Sequence, residues 1–218
     1  MTAPLPPSQA PADVIDALLD IAPGDALDQI RAQRPQARVH AQQSYLSLFH
    51  PAAPVVGNVS GSERHALAWW VAALHAAPEV ADFYAQGLQT AGTSQDLLRT
   101  LERAADTARG QGPYGHYPTG PLSAENQDGP HYVLEASLRA ALGDKLAAAL
   151  EQAHLLVFHP RDASPVGLQA LLDAGWDTTD IVILSQLVAF LSFQIRVVHG
   201  LRTLNHHLSP AAARLETA

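Results

Sequence analysis

Ser60-Gly61-Ser62-Glu63 places a hydroxyl at a helix N-cap and a carboxylate three residues later, a reciprocal pattern that satisfies two free backbone N–H groups. The helix it opens runs through Ala66-Leu67-Ala68-Trp69-Trp70-Val71-Ala72-Ala73-Leu74, apolar on every face. Such a helix cannot lie on a wet surface, so it must be central to a core or to an interface. The rest of the chain has to supply the elements that cover it. Pro78 suits the first turn of the next helix, which continues to about Ala91 and stops at Gly92. Thr93-Ser94-Gln95-Asp96 reads as a further N-cap, opening Leu97 to Arg109.

The flanks repeat the same signals. Residues 1–11 hold four of the sixteen prolines and are expected to form a mobile tail. Helices are expected over Asp13 to Ile21, Asp25 to Arg34 and Arg38 to His50, the last ended by Pro51, with Pro51 to Ser60 as a connection. Gly110 to Pro130 is a long Gly/Pro-rich loop, of the length that is either functional or a surface excursion. Helices resume at Tyr132 to Leu142 and Asp144 to Phe158. Asp162-Ala163-Ser164-Pro165 offers an N-cap and an N1 proline before Val166 to Ala174, and Gly175 stops that helix. Asp177 or Thr178 caps the last one, about Asp180 to His207, whose inner face carries Ile181, Leu184, Val188, Leu191, Ile195 and Val198. No segment alternates with the period of a strand. The fold class expected is all-α, a single helical domain over 12–207 with a C-terminal tail over 208–218.

Composition excludes several functions. There is no cysteine among the 218 residues, so the chain can perform no thiol, disulfide or thiolate-metal chemistry of its own. Thirteen basic against 21 acidic residues give a formal charge of -8, with no Lys/Arg cluster, which argues against nucleic acid as a partner. The most lipophilic run, Ile181 to Ile195, carries Ser185, Gln186, Ser192 and Gln194 and is expected not to span a membrane. The N-terminus has neither a basic nor an apolar signal region, so a cytoplasmic location is expected. With 47% apolar and only 16% charged residues, part of the surface is expected to be buried in a partner, most simply another copy of the chain.

Leu88-Gln89-Thr90-Ala91-Gly92, a cap and Asp96-Leu97-Leu98 are echoed by Leu171-Leu172-Asp173-Ala174-Gly175, a cap and Asp180-Ile181-Val182. This is either an internal duplication or the common grammar of helix hairpins. Within this framework Ser62 to Leu98 resembles the core of the carboxymuconolactone decarboxylase and alkylhydroperoxidase D superfamily, which is all-helical. Val71-Ala72-Ala73-Leu74 is similar to the run before the first cysteine of its Cys-x-x-Cys-x-x-x-His motif, and Ala91-Gly92 to its closing turn. Counted from these anchors, Ala77 and Val80 stand at the cysteines, Tyr84 at the histidine, and His65 at the acidic relay residue. Ala174-Gly175-Trp176, Ala189-Phe190-Leu191-Ser192-Phe193-Gln194-Ile195-Arg196 and Gly200-Leu201 resemble the last helix of the peroxidase-related branch. Pro78-Glu79-Val80-Ala81-Asp82-Phe83-Tyr84 resembles the entry of the decarboxylase core, again with tyrosine in place of histidine. The resemblance implies an oligomeric helical protein, while Ala77 and Val80 exclude dithiol peroxidase chemistry.

The candidate site that remains is His65 with Tyr84, and with Glu63, two residues upstream of His65 on a different face of the helix. Imidazole serves as a general base near neutral pH and a phenol can donate to an oxyanion. The alternative is a buried histidine, a tyrosine bonded to the backbone and a capping carboxylate. Arg196, closing an apolar stretch, is the candidate substrate-binding residue for a carboxylate, or else pairs with a buried acid or crosses a subunit interface. His116, Tyr114 and Tyr117 in the long loop either line a pocket or decorate a lid. No metal and no cofactor are expected. His206 and His207 point to different faces of a helix, and His199 lies two turns from His206. Glu151-x-x-His154 lacks the second copy that a di-iron bundle needs. Two functions therefore stand open: a small-molecule binder or non-thiol enzyme near His65 and Tyr84, or a non-catalytic helical oligomer or assembly partner of a cysteine-containing homologue.

Overall fold

The computed structural model describes residues 10–51, 59–92 and 95–208. The expected N-terminal tail up to residue 9, most of the Pro51 to Ser60 connection, the Thr93-Ser94 cap and the tail from 209 onward lie outside the described residues. Every named element is a helix, and the fold is all-α. The described residues contain no strand, only a single isolated bridge between Gly115 and Gln127. The chain divides into two compact units, one of residues 1–52 with 193–218 and one of residues 53–192.

In the first unit, Asp13 caps α1 (Val14–Leu19) by accepting the N–H groups of Ile15 and Asp16. Both α1 and α2 (Ala26–Ala32) pack on α3 (Pro35–Phe49). The third helix begins three residues before its expected start because Pro35 takes the N1 position, where no N–H is needed. Their packing encloses a charge cluster. Arg31, only 9% exposed, pairs with Asp13 at 3.1 Å and with Asp16. Arg38 bonds Asp13 at 3.0 Å, Asp28 at 2.7 Å, and Asp16. The Gly24 N–H and then Arg38 hold the Asp28 carboxyl below its ordinary range, and Asp28 in turn raises Arg38.

In the second unit the capping box forms as expected: Glu63 N–H donates to Ser60 Oγ and Ser60 N–H to the Glu63 carboxylate at 2.7 Å. The helix it opens, α4 (Gly61–Leu74), is buried continuously from Ala66 through Ala72. It is covered by α5 (Pro78–Thr90), α6 (Gln95–Thr107) and α8 (Asp144–Phe158). Trp70, fully buried, sends its indole N–H to the Leu150 carbonyl of α8 at 3.0 Å. Side chains buried like Trp70 and Leu150 each contribute about 2–3 kcal/mol of transfer free energy. Gly175 ends α9 (Pro165–Asp173) at φ +98°, and Asp177 caps α10 (Thr178–Leu208) by accepting the Asp180 N–H at 2.8 Å.

The expected inner face of α10 is buried at Leu184, Val188, Leu191, Ile195 and Val198, joined by Leu187, while Ile181 is half-buried. By length and composition α10 could cross a bilayer, with a mean hydropathy of 2.0 over its most apolar 18 residues. Half of that window is buried inside the protein. Its residues up to Ser192 belong to the second unit and those from Phe193 to the first.

One helix starts later than its pattern suggests. The segment α7 covers Ala136–Leu142 rather than beginning at Tyr132. The Leu134 N–H is taken by Glu151 of α8 at 2.8 Å, and the Tyr132 hydroxyl donates to Ala104 O at 3.2 Å. Tertiary partners therefore hold residues 131–135 outside the helix.

Candidate functional site

Asp144–Phe158 ends where Pro160 forces it to end, because the residue before a proline is disfavoured in helical geometry. That residue, His159, takes φ -127° and ψ 45° and is 2% exposed. A 3₁₀ turn, Pro160–Asp162, then brings Asp162 back beneath the histidine. The expected cap and N1 proline before α9 form at Ser164 and Pro165, and Asp162 bonds the histidine instead. Ser164 occupies the cap position of α9, without a side-chain cap bond.

The long loop folds onto this corner. The Tyr114 N–H donates to Phe158 O at 2.6 Å, the His116 N–H to Asp162 Oδ1 at 3.2 Å, and Arg161 to Glu125 O at 3.1 Å. Arg161 also lies over the Tyr117 ring at 4.2 Å. Two glycines make the approach possible. A Cβ on Gly115, whose φ is +106°, would lie 2.7 Å from Asp162 Oδ1, and one on Gly129 would lie 2.2 Å from the Tyr114 ring. Gly110 to Pro130 is thus a built wall of the corner.

His131, the first residue past that loop, is exposed and stacks on His159 with ring centroids 4.4 Å apart. Tyr114 flanks the same ring at 5.1 Å. His159 faces an acceptor at each nitrogen: Nε2 is 3.0 Å from the Pro130 carbonyl and Nδ1 is 2.9 Å from Asp162 Oδ2. A carbonyl and a carboxylate both accept, so each ring nitrogen can bond its partner only as an N–H donor. The His159 bond, with the His116 N–H, holds the Asp162 carboxyl below its ordinary range against the opposing effect of burial. Ligand atoms of His131, His159 and Asp162 all lie within 4.8 Å of one another.

Two cavities meet at this cluster, and His131 and His159 line both. One, of about 170 Å³, continues past Tyr132, His154 and Glu151 to Leu171. The other, of about 230 Å³, is bounded by Gly115, His116, Asp128 and Asp162, with His116 Nε2 2.7 Å from the Asp128 carboxylate. The His154 ring stacks on Tyr132 at 4.8 Å and donates Nε2–H to Ala108 O at 3.0 Å. Burial pushes its pKa down to about 4, so it is a neutral wall. The corner therefore offers a carboxylate, imidazoles able to give and take protons, and an apolar flank.

The residues singled out by sequence behave differently. His65 and Tyr84 do come together, with ring centroids 6.4 Å apart. Tyr84 is fully buried, however, and His65 is half-buried, bonding its own helix at Gly61 O through Nδ1 at 2.8 Å. The His65 ring packs so closely on α5 that a Cβ at Gly87 would fall 2.0 Å from it. This is tight helix–helix packing. Glu63 is committed to the capping box and to Lys145 at 2.9 Å. Arg196 is exposed on α10, in the first unit. Of the Glu151–His154 pair, Glu151 is taken by Leu134 N–H and by Arg139 at 2.6 Å, and His154 is buried rather than solvated.

The sequence signal for the cluster was His159-Pro160-Arg161-Asp162, a proline-terminated helix end with an acid three residues on, opposite a Gly129-Pro130-His131 loop exit. Its meaning depended on a contact across 28 residues of chain. No protein-family model, curated protein or solved structure matches the chain.

Proposed function

We propose that this chain is a small-molecule-binding protein capable of non-thiol acid–base chemistry, and that its site is the cleft at His131, His159 and Asp162. The observation that carries the reading is the convergence of these three side chains at the junction of two cavities. Asp162 and the Pro130 carbonyl orient His159, the exposed His131 is free to meet solvent or ligand, and His116 with Asp128 adds a second imidazole–carboxylate pair. The acid–base role expected of His65 and Tyr84 fits less well, because their rings are engaged in packing. On this reading the α4–α5 hairpin, with its resemblance to the alkylhydroperoxidase D-like core, serves as scaffold for a cysteine-less relative working in the cytoplasm.

Protein-observed NMR with a library of small organic acids, amides and aromatic fragments tests this. Hits should shift the amides of Gly115, Gly129 and Gly167 and weaken at least tenfold in His131→Ala. Hits that map instead to Gly61 and Gly87 would overturn the assignment and return the site to His65 and Tyr84.

A second reading, self-association, is favoured by the apolar side chains that α9 leaves exposed, Val166, Leu168 and Leu172. Light scattering across a concentration series should show a closed oligomer that Leu168→Glu with Leu172→Glu dissociates. A wild-type monomer at every concentration would exclude it.

A further inference from the structure

We propose that His131, His159 and Asp162 bind one divalent first-row transition ion, with a coordination position left open toward the cavity that holds His116 and Asp128. The donor set is two imidazoles and a carboxylate, which suits an ion of borderline softness such as zinc better than magnesium or calcium. Three protein ligands leave at least one position for water or a ligand, the arrangement of a reactive rather than a purely structural centre.

The orientation of His159 supports this. Its Nε2–H is spent on the Pro130 carbonyl, and metal-bound histidines typically donate their second ring nitrogen to a carbonyl or carboxylate. With Nε2 held there, Nδ1 is the nitrogen turned toward Asp162 Oδ2. In the same way the His116 N–H holds Oδ1 of Asp162 and leaves Oδ2 turned to the histidine. Two ligand atoms at ~2.1 Å from an ion are ~3.0 Å apart at a right angle and ~3.4 Å apart at a tetrahedral one. Nδ1 and Oδ2 are 2.9 Å apart, close to the lower of these spacings. The three ligand atoms lie within 4.8 Å of one another, so closure on an ion needs a movement of at most ~1.4 Å. His131 is exposed and follows a loop, so rotation of its side chain supplies that shift. Asp128 and His116 then face the open position and can bond a coordinated water.

The inference rests on the cleft being the working site, yet the two can fail separately. Fragment binding measured with a chelator present reports on the cleft without an ion. Zinc binding is measured by competition with a chromophoric chelator on the full-length chain, and cobalt(II) is added as a spectroscopic probe. One equivalent should bind, with visible cobalt d–d bands of a low-symmetry site. Affinity should fall at least tenfold in Asp162→Asn and in His131→Ala, the second of which changes an exposed side chain and spares the fold. Exposed histidines elsewhere are the competing explanation, so His206→Ala with His207→Ala should leave binding unchanged. Binding lost in that double variant, binding unaffected by His131→Ala and Asp162→Asn, or no stoichiometric binding by the wild type would each overturn the proposal.

Discussion

Replacing His154 by Gln removes a buried titratable ring while keeping an N–H for the Ala108 carbonyl, so it isolates the energetic effect of burying that imidazole. The His154 pKa is depressed to about 4 from an ordinary value of 6.5. Between these limits the unfolded chain takes up a proton that the folded chain refuses. Stability is therefore full above pH 6.5 and is lost as pH falls toward 4, by roughly 3 kcal/mol in total at 1.36 kcal/mol per unit. Evaluated at pH 5, the same two pKa values give a loss of about 2 kcal/mol, against almost none at pH 7.5. At pH 7.5 the variant should be less stable than wild type by about 1–3 kcal/mol, from the lost stacking on Tyr132 and Phe158. At pH 5 that deficit should shrink by about 2 kcal/mol or reverse, because only the wild type pays the protonation penalty. Urea unfolding of both proteins at the two pH values measures the difference of differences, in which the other titrating groups largely cancel. A deficit equal at both pH values would refute the reasoning, and one that widens on acidification would reverse its sign.

Four further outcomes follow from the geometry. Arg31→Ala leaves Asp13 and Asp16 partly buried with one fewer cation and should cost about 3 kcal/mol in urea unfolding. Gly115→Ala forces a side chain into Asp162 at a positive φ. It should lift the loop from the end of α8, seen as faster hydrogen exchange at Tyr114 and His116 and about 2 kcal/mol of destabilisation. Asp180→Ala removes a fully buried carboxylate beside the buried Arg64 and should cost about 3 kcal/mol, read as a lower urea midpoint. His65→Ala should leave fragment binding at the cleft within twofold of wild type, whereas Asp162→Asn should weaken it at least tenfold.

The elements written by local rules were legible in the sequence. The Ser60–Glu63 box, the all-apolar run after it, the Gly175 stop and the Asp177 cap are patterns of neighbouring residues, and each forms as its chemistry requires. The site was not legible, for a physical reason. His159 and Asp162 acquire their roles only when the loop from Gly110 to Pro130 folds over the end of α8, and His131 joins them from across that loop. Local grammar placed a cap and an N1 proline within residues 162–165, and Ser164 and Pro165 take those positions, but nothing local announced that Asp162 meets a buried imidazole. The helical resemblance drew attention to His65 and Tyr84, and the same close α4–α5 packing that holds those rings leaves them engaged with each other's helices. Loop composition carries the one useful hint, since it offers His116, Tyr114 and Tyr117 as pocket lining or lid decoration. His116 lines the second cavity and Tyr114 flanks His159.

One arrangement is central to this corner: a His159 ring whose Nε2 is held by the Pro130 carbonyl and whose Nδ1 faces Asp162. Long-range ¹H–¹⁵N correlation of the imidazole nitrogens, assigned with His159→Gln and repeated in Asp162→Asn, reads this directly. A protonated Nε2 in the wild type, with an Nδ1 signal that moves when Asp162 is replaced and again when one equivalent of zinc is added, is the predicted result. An unprotonated Nε2, or an Nδ1 signal indifferent to both Asp162→Asn and zinc, would contradict the assignment of this corner as the working site.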